Sequence, residues 1–245
     1  VAGVTLSTNG GPFGNPCLNF DGSGYITNDD LIVRDGTFFG KTAWTVSFWI
    51  NSETLVNTIG SMPINFGEKT GHFSWGHSSS TFQQSWAVYN NSAYHVAKLT
   101  STLNTNTWYH IVGTYDSSIG LKAYLNGVLE DHNTSYTGLL YAPPSEFSIG
   151  RGWHSTLGGV YYVEGKMSDV RVYDRALSAD EIGKLYNRTI NRSAINTEPH
   201  YNNNLVANWK LNDGAGSFAI DSSGNSYTGT LTNGPLWSAT GGPFG

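Results

Sequence analysis

The acidic side chains are the first candidates for catalysis, because glycoside hydrolysis needs two carboxylates held roughly 5 to 9.5 Å apart. On one strand, such a pair requires acids two residues apart, since alternate side chains share a face. The seven glutamates stand isolated, at positions 53, 68, 130, 146, 164, 181 and 198. The chain also lacks the Gly-x-Ser-x-Gly turn of serine hydrolases, and its seven histidines show no zinc-ligand spacing. These patterns predict a non-enzymatic protein.

Aromatic side chains offer a different chemistry, because a flat ring can stack on a sugar while polar neighbours bind its hydroxyls. Trp75 and His77 lie in a polar, glycine-rich stretch, and Tyr161 follows two glycines. Arg151, Trp153 and His154 lie in a similar stretch. These six residues are the predicted ligand contacts, and Tyr162, beside Tyr161, is a further candidate. The remaining tryptophans and phenylalanines on alternating segments, among them Trp44, Phe48, Trp108 and Trp209, are predicted to be core.

Composition excludes several classes of protein. Charged residues make up 13% of the 245-residue chain, against roughly 25% in an average domain, and the net charge is −5. Single, scattered Lys and Arg residues argue against nucleic-acid binding. No stretch reaches the roughly 20 apolar residues of a membrane helix, so no membrane insertion is predicted. Abundant Ser, Thr, Asn and Gly favour an extracellular, cell-surface or virion-surface location. Cys17, the single cysteine, is predicted to be a buried thiol.

A hydrophobic period of two dominates the chain. Trp44–Ile50 and Leu121–Leu125 alternate, and the second runs into Asn126-Gly127, a strong hairpin signal. Further strands are predicted at 16–20, 85–89, 109–115, 146–149, 165–173 and 205–211. One helix near 179–187 is predicted after the capping box Ser178-Ala-Asp-Glu181. Many short strands with little helix predict an all-β fold, a two-sheet antiparallel β-sandwich or jelly roll.

Six segments in order resemble the LamG-like jelly-roll domains of the concanavalin A-like lectin/glucanase superfamily. They are Leu18-Asn-Phe-Asp-Gly-Ser-Gly-Tyr25, Trp44–Ile50, Trp108-Tyr-His-Ile-Val-Gly-Thr-Tyr115, Ala123-Tyr-Leu-Asn-Gly-Val128, Ser148-Ile-Gly150 and Gly165–Ser178. The resemblance implies a concanavalin A-like sandwich. In the glucanase branch, the catalytic acids follow the pattern Glu-x-Asp-x-Glu, which this chain does not contain.

The resemblance also implies a structural calcium ion, because related sandwiches use an aspartate just before the closing strand, which Asp169 matches. Asp21, Asp221 and Asn225 lie in other turns of the matched segments and are the remaining candidate ligands. The alternative for Asp21 and Asp221 is an Asx turn, in which the carboxylate accepts a hydrogen bond from the amide two residues later.

The segment 205–245 resembles the beginning of a family domain, yet it comes last. Gly-Gly-Pro-Phe-Gly occurs both at 10–14 and at 241–245. The chain is therefore predicted to be one sandwich over 1–245, either circularly permuted or cut from a tandem array, with 205–245 supplying the family's first strands. Leu205–Leu211 is expected to pair inside this sandwich, beside 16–20 and 166–173.

These observations predict a non-catalytic binding or adhesion module that recognises a glycan or cell-surface polysaccharide. The alternative is a structural surface protein, such as a virion decoration, fibre or surface-layer unit, whose sandwich contacts neighbouring subunits or repeats. A glycoside hydrolase is the third, weaker alternative.

Overall fold

The computed structural model describes residues 4–7, 17–28, 30–33, 42–53, 63–67, 73–77, 84–90, 92–139, 147–154, 159–190 and 203–233. These residues form two antiparallel sheets packed face to face, as the alternating sequence pattern predicts. None of the described helices combines the length and apolar character needed to cross a membrane.

The described part of the chain contains two helices, α1 (Asp30–Val33) and α2 (Ala179–Ile190). The strands in chain order are β1 (Val4–Ser7), β2 (Cys17–Asp21), β3 (Tyr25–Thr27), β4 (Ala43–Ser52), β5 (Ile64–Phe66), β6 (Phe73–His77), β7 (Gln84–Tyr89), β8 (Tyr94–Lys98), β9 (Tyr109–Asp116), β10 (Gly120–Leu125), β11 (Val128–Asn133), β12 (Phe147–Ile149), β13 (Arg151–His154), β14 (Gly159–Tyr162), β15 (Glu164–Tyr173), β16 (Leu205–Trp209), β17 (Phe218–Ala219) and β18 (Gly229–Thr232).

Sheet A has the spatial order β1-β2-β15-β4-β9-β10-β11, and β16 also pairs with β15. Sheet B has the order β17-β18-β3-β12-β5-β6-β7-β8, while β13 and β14 form a separate hairpin. The main core fills the space between sheets A and B and includes the fully buried Trp44, Phe48 and Trp209. The buried thiol of Cys17 is confirmed. A second apolar cluster lies between α2 and the outer face of sheet A and contains Tyr124, Tyr173 and Ile182.

The local signals for the helix and the hairpin are confirmed. The Glu181 carboxylate accepts a hydrogen bond from the Ser178 amide at 2.8 Å, and the Ser178 hydroxyl accepts one from the Glu181 amide at 3.3 Å. Asn126 and Gly127 both have positive φ, which the tight turn between β10 and β11 requires. The four-residue helix α1 shows no clear helical period and was not predicted from the sequence.

The strands of the C-terminal segment pair inside this chain. Strand β16 pairs with residues 170–173 of β15, as expected, while β2 pairs with residues 164–167 on the same edge of β15. Strand β18 pairs with β3 in sheet B. The segment 205–232 thus adds strands to both sheets; the origin by permutation or from a tandem array stays a prediction.

Side chains of β11 join the far edges of the two sheets. The Glu130 carboxylate accepts hydrogen bonds from the amides of Thr100 and Ser101, each at 2.8 Å. The Asp131 carboxylate accepts one from the Lys98 amide at 2.9 Å, and the Asn133 side-chain amide donates to the Val96 carbonyl. These contacts occupy polar groups at the edge of β8 that would otherwise be open to another strand.

Candidate functional site

A glycine turn places the β13–β14 hairpin over the outer face of sheet B. Gly150 follows β12 with φ +84°, and a Cβ at this position would come within 2.4 Å of the Phe20 ring. The chain therefore turns sharply where a larger residue would be both strained and crowded. After the turn, the Ser148 hydroxyl donates to the Arg151 carbonyl at 2.8 Å, and β13 packs against β5.

Arg151 and two tyrosines form a partly exposed cluster at the base of this hairpin, which we call the Tyr25 cluster. The Arg151 guanidinium carbon lies 3.8 Å from the centre of the Tyr25 ring. Tyr162 is the register partner of Arg151, and its ring centre lies 6.2 Å from that of Tyr25. All three side chains are partly exposed. The cluster therefore offers aromatic faces and guanidinium N–H donors to a ligand.

Two of the six predicted ligand contacts have described side chains. Arg151 belongs to the Tyr25 cluster, and Tyr161 is partly exposed on β14 opposite Gly152. The side chains of Trp75, His77, Trp153 and His154 lie outside the described residues, so their roles stay predictions. The backbone of Trp75 pairs with those of Ile64 and Trp86, both core residues.

Tyr25 was not predicted from the sequence as a site residue, whereas Tyr162 was a candidate beside Tyr161. Trp108 was predicted to be core, but it is partly exposed because β9 begins one residue later, at Tyr109. Tyr25 is joined to Arg151 by tertiary packing across 126 residues of sequence, for which no local pattern exists. The one local signal was Tyr25 itself, an aromatic residue that follows the turn-forming stretch Asp21-Gly-Ser-Gly24.

Three of the calcium candidates are engaged in turns. The Asp221 carboxylate accepts hydrogen bonds from the amides of Asn208, Ser223 and Tyr227 at 2.8–3.0 Å and from the Ser223 hydroxyl at 2.7 Å. The Asn225 side-chain amide donates to the carbonyls of residues 205 and 206. Asp21 accepts from the amide of Ser23 at 3.2 Å. Asp21 and Asp221 therefore form the Asx turns of the alternative interpretation.

Asp169 is engaged by an arginine. It has φ +50° at a bulge in β15, and both of its carboxylate oxygens lie 3.0–3.1 Å from Nε of Arg171. Among the described residues, no group of three or more His, Cys, Asp or Glu side chains could hold a metal ion. Calcium also takes amide and backbone carbonyl oxygens as ligands, so a calcium site at Asp169, Asp21, Asp221 and Asn225 stays a prediction.

A serine–histidine pair lies beneath α2 on the outer face of sheet A. The Ser47 hydroxyl lies 2.8 Å from Nε2 of His110, and both side chains are almost completely buried. Burial lowers the pKa of His110 from 6.5 to about 3; Asp169 raises this pKa and Arg171 lowers it. Nδ1 of His110 has no hydrogen-bond partner in the described part of the chain, whereas a catalytic histidine is oriented by an acid at this atom. The pair therefore acts as a neutral structural contact.

The buried His110 should make the protein sensitive to mild acid. Below pH 6.5, His110 becomes protonated in the unfolded chain, whereas in the folded state it stays neutral down to about pH 3. The free energy of unfolding therefore falls as the pH falls. We expect His110 to account for a loss of about 2–3 kcal/mol between pH 6.5 and pH 4.5. Urea denaturation of the wild type and of H110Q at both pH values measures this loss of free energy of unfolding. Equal losses in the two proteins would contradict the assignment.

A family model described as "Concanavalin A-like lectin/glucanases superfamily" matches residues 20–183. No curated protein matches the chain in sequence. Among solved structures, a candidate carbohydrate-binding protein from Bacteroides ovatus ATCC 8483 is similar, with a TM-score of 0.63 and 21% identity over 91% of this chain. The chain spans 61% of that protein's length.

Two further similar structures belong to larger proteins. Domain 4 of a GH43 extracellular arabinanase from Geobacillus stearothermophilus, solved in complex with arabinotriose, has a TM-score of 0.51 and 16% identity, with 74% of this chain and 81% of that chain covered. The binding domain of botulinum neurotoxin serotype C1 has a TM-score of 0.53 and 16% identity, with 75% and 45% covered. At these identities, the likeness establishes the fold.

Proposed function

We propose that this chain, which belongs to the concanavalin A-like lectin/glucanases superfamily, is a non-catalytic module that binds a glycan through the Tyr25 cluster. The observation that carries the proposal is the partly exposed stack of Arg151 on Tyr25 beside Tyr162. Aromatic faces pack against the C–H groups of a sugar ring, and guanidinium donors bind its hydroxyl oxygens. The arabinotriose bound to one of the similar structures and the carbohydrate-binding description of another support this class of ligand.

The described acidic side chains near the sheet edges support a binding role over hydrolysis. Glu130 and Asp131 use their oxygens to hold β8, and Asp169 and Asp221 are held by Arg171 and by backbone amides. A hydrolase needs one carboxylate that can donate a proton and a second that faces the sugar. The low content of charged residues supports display outside the cell, on a cell or virion surface.

The test is a glycan array, read once with calcium and once with EDTA, followed by titration calorimetry with the strongest ligand. Y25A should weaken binding tenfold or more, because aromatic residues in a contact carry a large share of its free energy. Y94A is the matched control, since Tyr94 is an exposed tyrosine on β8 at the opposite edge of sheet B. Arrays that stay blank at high protein concentration in both buffers would contradict glycan binding.

If the chain is instead a structural surface protein, the same samples should give a different result. Light scattering should then show a stable oligomer or filament, and the Y25A substitution should leave the array unchanged. A monomer whose glycan binding depends on Tyr25 would exclude the sandwich acting as a spacer alone.

A further inference from the structure

An open strip of side chains leads from the Tyr25 cluster to the edge of sheet B. Tyr25 and Thr27 on β3 are register partners of Thr232 and Thr230 on β18, and Thr230 is the partner of Phe218 on β17. The residues that alternate with them are Ile26, Leu231 and Ala219, which are buried in the core. Tyr25, Thr27, Thr232, Thr230 and Phe218 therefore face away from the core on one surface, which we call the Tyr25–Phe218 strip.

The strip ends in an aromatic ring on each side. Phe218 is 52% exposed, which is unusual for so large an apolar side chain, and Thr230 is also exposed. The threonine side chains between the rings carry hydroxyl groups that donate and accept hydrogen bonds. A sugar chain has the complementary arrangement, because each ring presents C–H groups on its faces and hydroxyl groups around its rim.

Charge restricts the kind of sugar. The five side chains of the strip are uncharged. Asp21 and Glu164 are exposed register partners close to the Tyr25 end, and Asp213 accepts a hydrogen bond from the Ile220 amide at the Phe218 end. The guanidinium carbon of Arg151 lies 3.8 Å from the centre of the Tyr25 ring, so its positive charge offsets part of the negative charge at that end. None of the five side chains of the strip supplies a cation that could pair with an acidic sugar, so the strip favours a neutral polysaccharide.

The length of the strip restricts the ligand further. Two strand spacings separate β3 from β17, and Tyr25 lies two residues from Thr27 along β3, so the Cα atoms of Tyr25 and Phe218 are about 11–12 Å apart. This length accommodates about two or three sugar rings, which exceeds a terminal monosaccharide.

We propose that the ligand is a neutral polysaccharide bound along an internal stretch of its chain, with Phe218 as a second stacking platform. This inference rests on the proposed glycan-binding function and assigns a role to a residue outside the Tyr25 cluster. Affinity then grows with chain length until the ligand spans both rings, because the second contact is made within an already bound molecule.

Titration calorimetry with neutral cello-, xylo- and arabino-oligosaccharides of two to six sugars tests the inference. F218A should bind a disaccharide as the wild type does, but should bind a hexasaccharide about tenfold more weakly. Y25A should weaken binding at every length. L129A is the matched control, because Leu129 is an exposed apolar residue on β11, at the far edge of sheet A. Circular dichroism checks that each variant is folded.

The outcomes separate the inference from the function on which it rests. If Y25A loses binding and F218A matches the wild type at every length, the second platform is wrong while glycan binding stands. Stronger binding to polygalacturonate than to any neutral chain would overturn the proposal that the ligand is a neutral polysaccharide. A wild type that binds a glycan on the array but none of these neutral chains overturns the inference alone, whereas blank arrays overturn the proposed function. If sedimentation shows that F218A abolishes self-association and leaves sugar binding intact, Phe218 belongs to a contact between copies.

Discussion

Removal of residues 205–245 is expected to give a protein that aggregates instead of folding as a monomer. The deletion removes β16, which pairs with β15, and β18, which pairs with β3, so it uncovers a strand edge in each sheet. Uncovered edges with flanking apolar surface pair readily with other chains. It also removes Trp209, whose fully buried ring stacks on Phe147 with 5.1 Å between ring centres.

Size-exclusion chromatography with light scattering and thermal unfolding measure this outcome, and two point variants refine it. W209A keeps every strand but leaves a cavity, and it also leaves the Tyr227 carbonyl without the indole N–H that lies 2.7 Å away. A loss of about 3–5 kcal/mol in the free energy of unfolding is expected, with the protein still monomeric. W209F fills more of this cavity and should lose less of the free energy of unfolding. A truncated protein that stays monomeric and equally heat-stable would contradict the contribution of 205–232 to both sheets.

The sequence predicted the long strands and some short ones, such as β12, but it missed other short strands for a physical reason. Strand β4 and strand β9 each have one face in the core and extend over eight or more residues, so a period of two is visible. Strands β3 and β5 have three residues each, too few to show any period, and β6 is bounded by polar turns. Their places in sheet B follow from pairing with longer partners, which a local pattern does not contain.

The candidate site depended even more on tertiary structure. The sequence identified Arg151 as a contact from its polar, glycine-rich surroundings, but the aromatic partner, Tyr25, comes from a distant strand. Phe218 sits on a two-residue edge strand, where exposed and buried positions look alike in sequence. Arg171, the partner of Asp169, is only two residues away in sequence, but the bulge and the positive φ of Asp169 are set by the pairing of β15 with its neighbours.

Loss of Arg171 should be among the most damaging single substitutions in the described part of the chain. The side chains of Asp169 and Arg171 are 17% and 19% exposed, so most of this ion pair is shielded from water. R171A leaves the Asp169 carboxylate largely buried without its cation. Breaking a buried pair in this way costs about 3–5 kcal/mol, more than the pair itself contributes. The position of Arg171 is sensitive to substitution because it lies beside the bulge, where the strand paired with this edge of β15 changes from β2 to β16.

A double-mutant cycle separates the buried charge from simple loss of packing. D169N keeps a residue type that tolerates positive φ and removes the negative charge, and R171M keeps much of the apolar length of the arginine. If the buried carboxylate causes the damage, the double variant D169N/R171M should be more stable than R171M alone, with a coupling of about 1–3 kcal/mol measured by urea denaturation. Strictly additive losses would contradict this coupling and would mean that Arg171 acts through packing against its strand neighbours, Ser47 and Asn208.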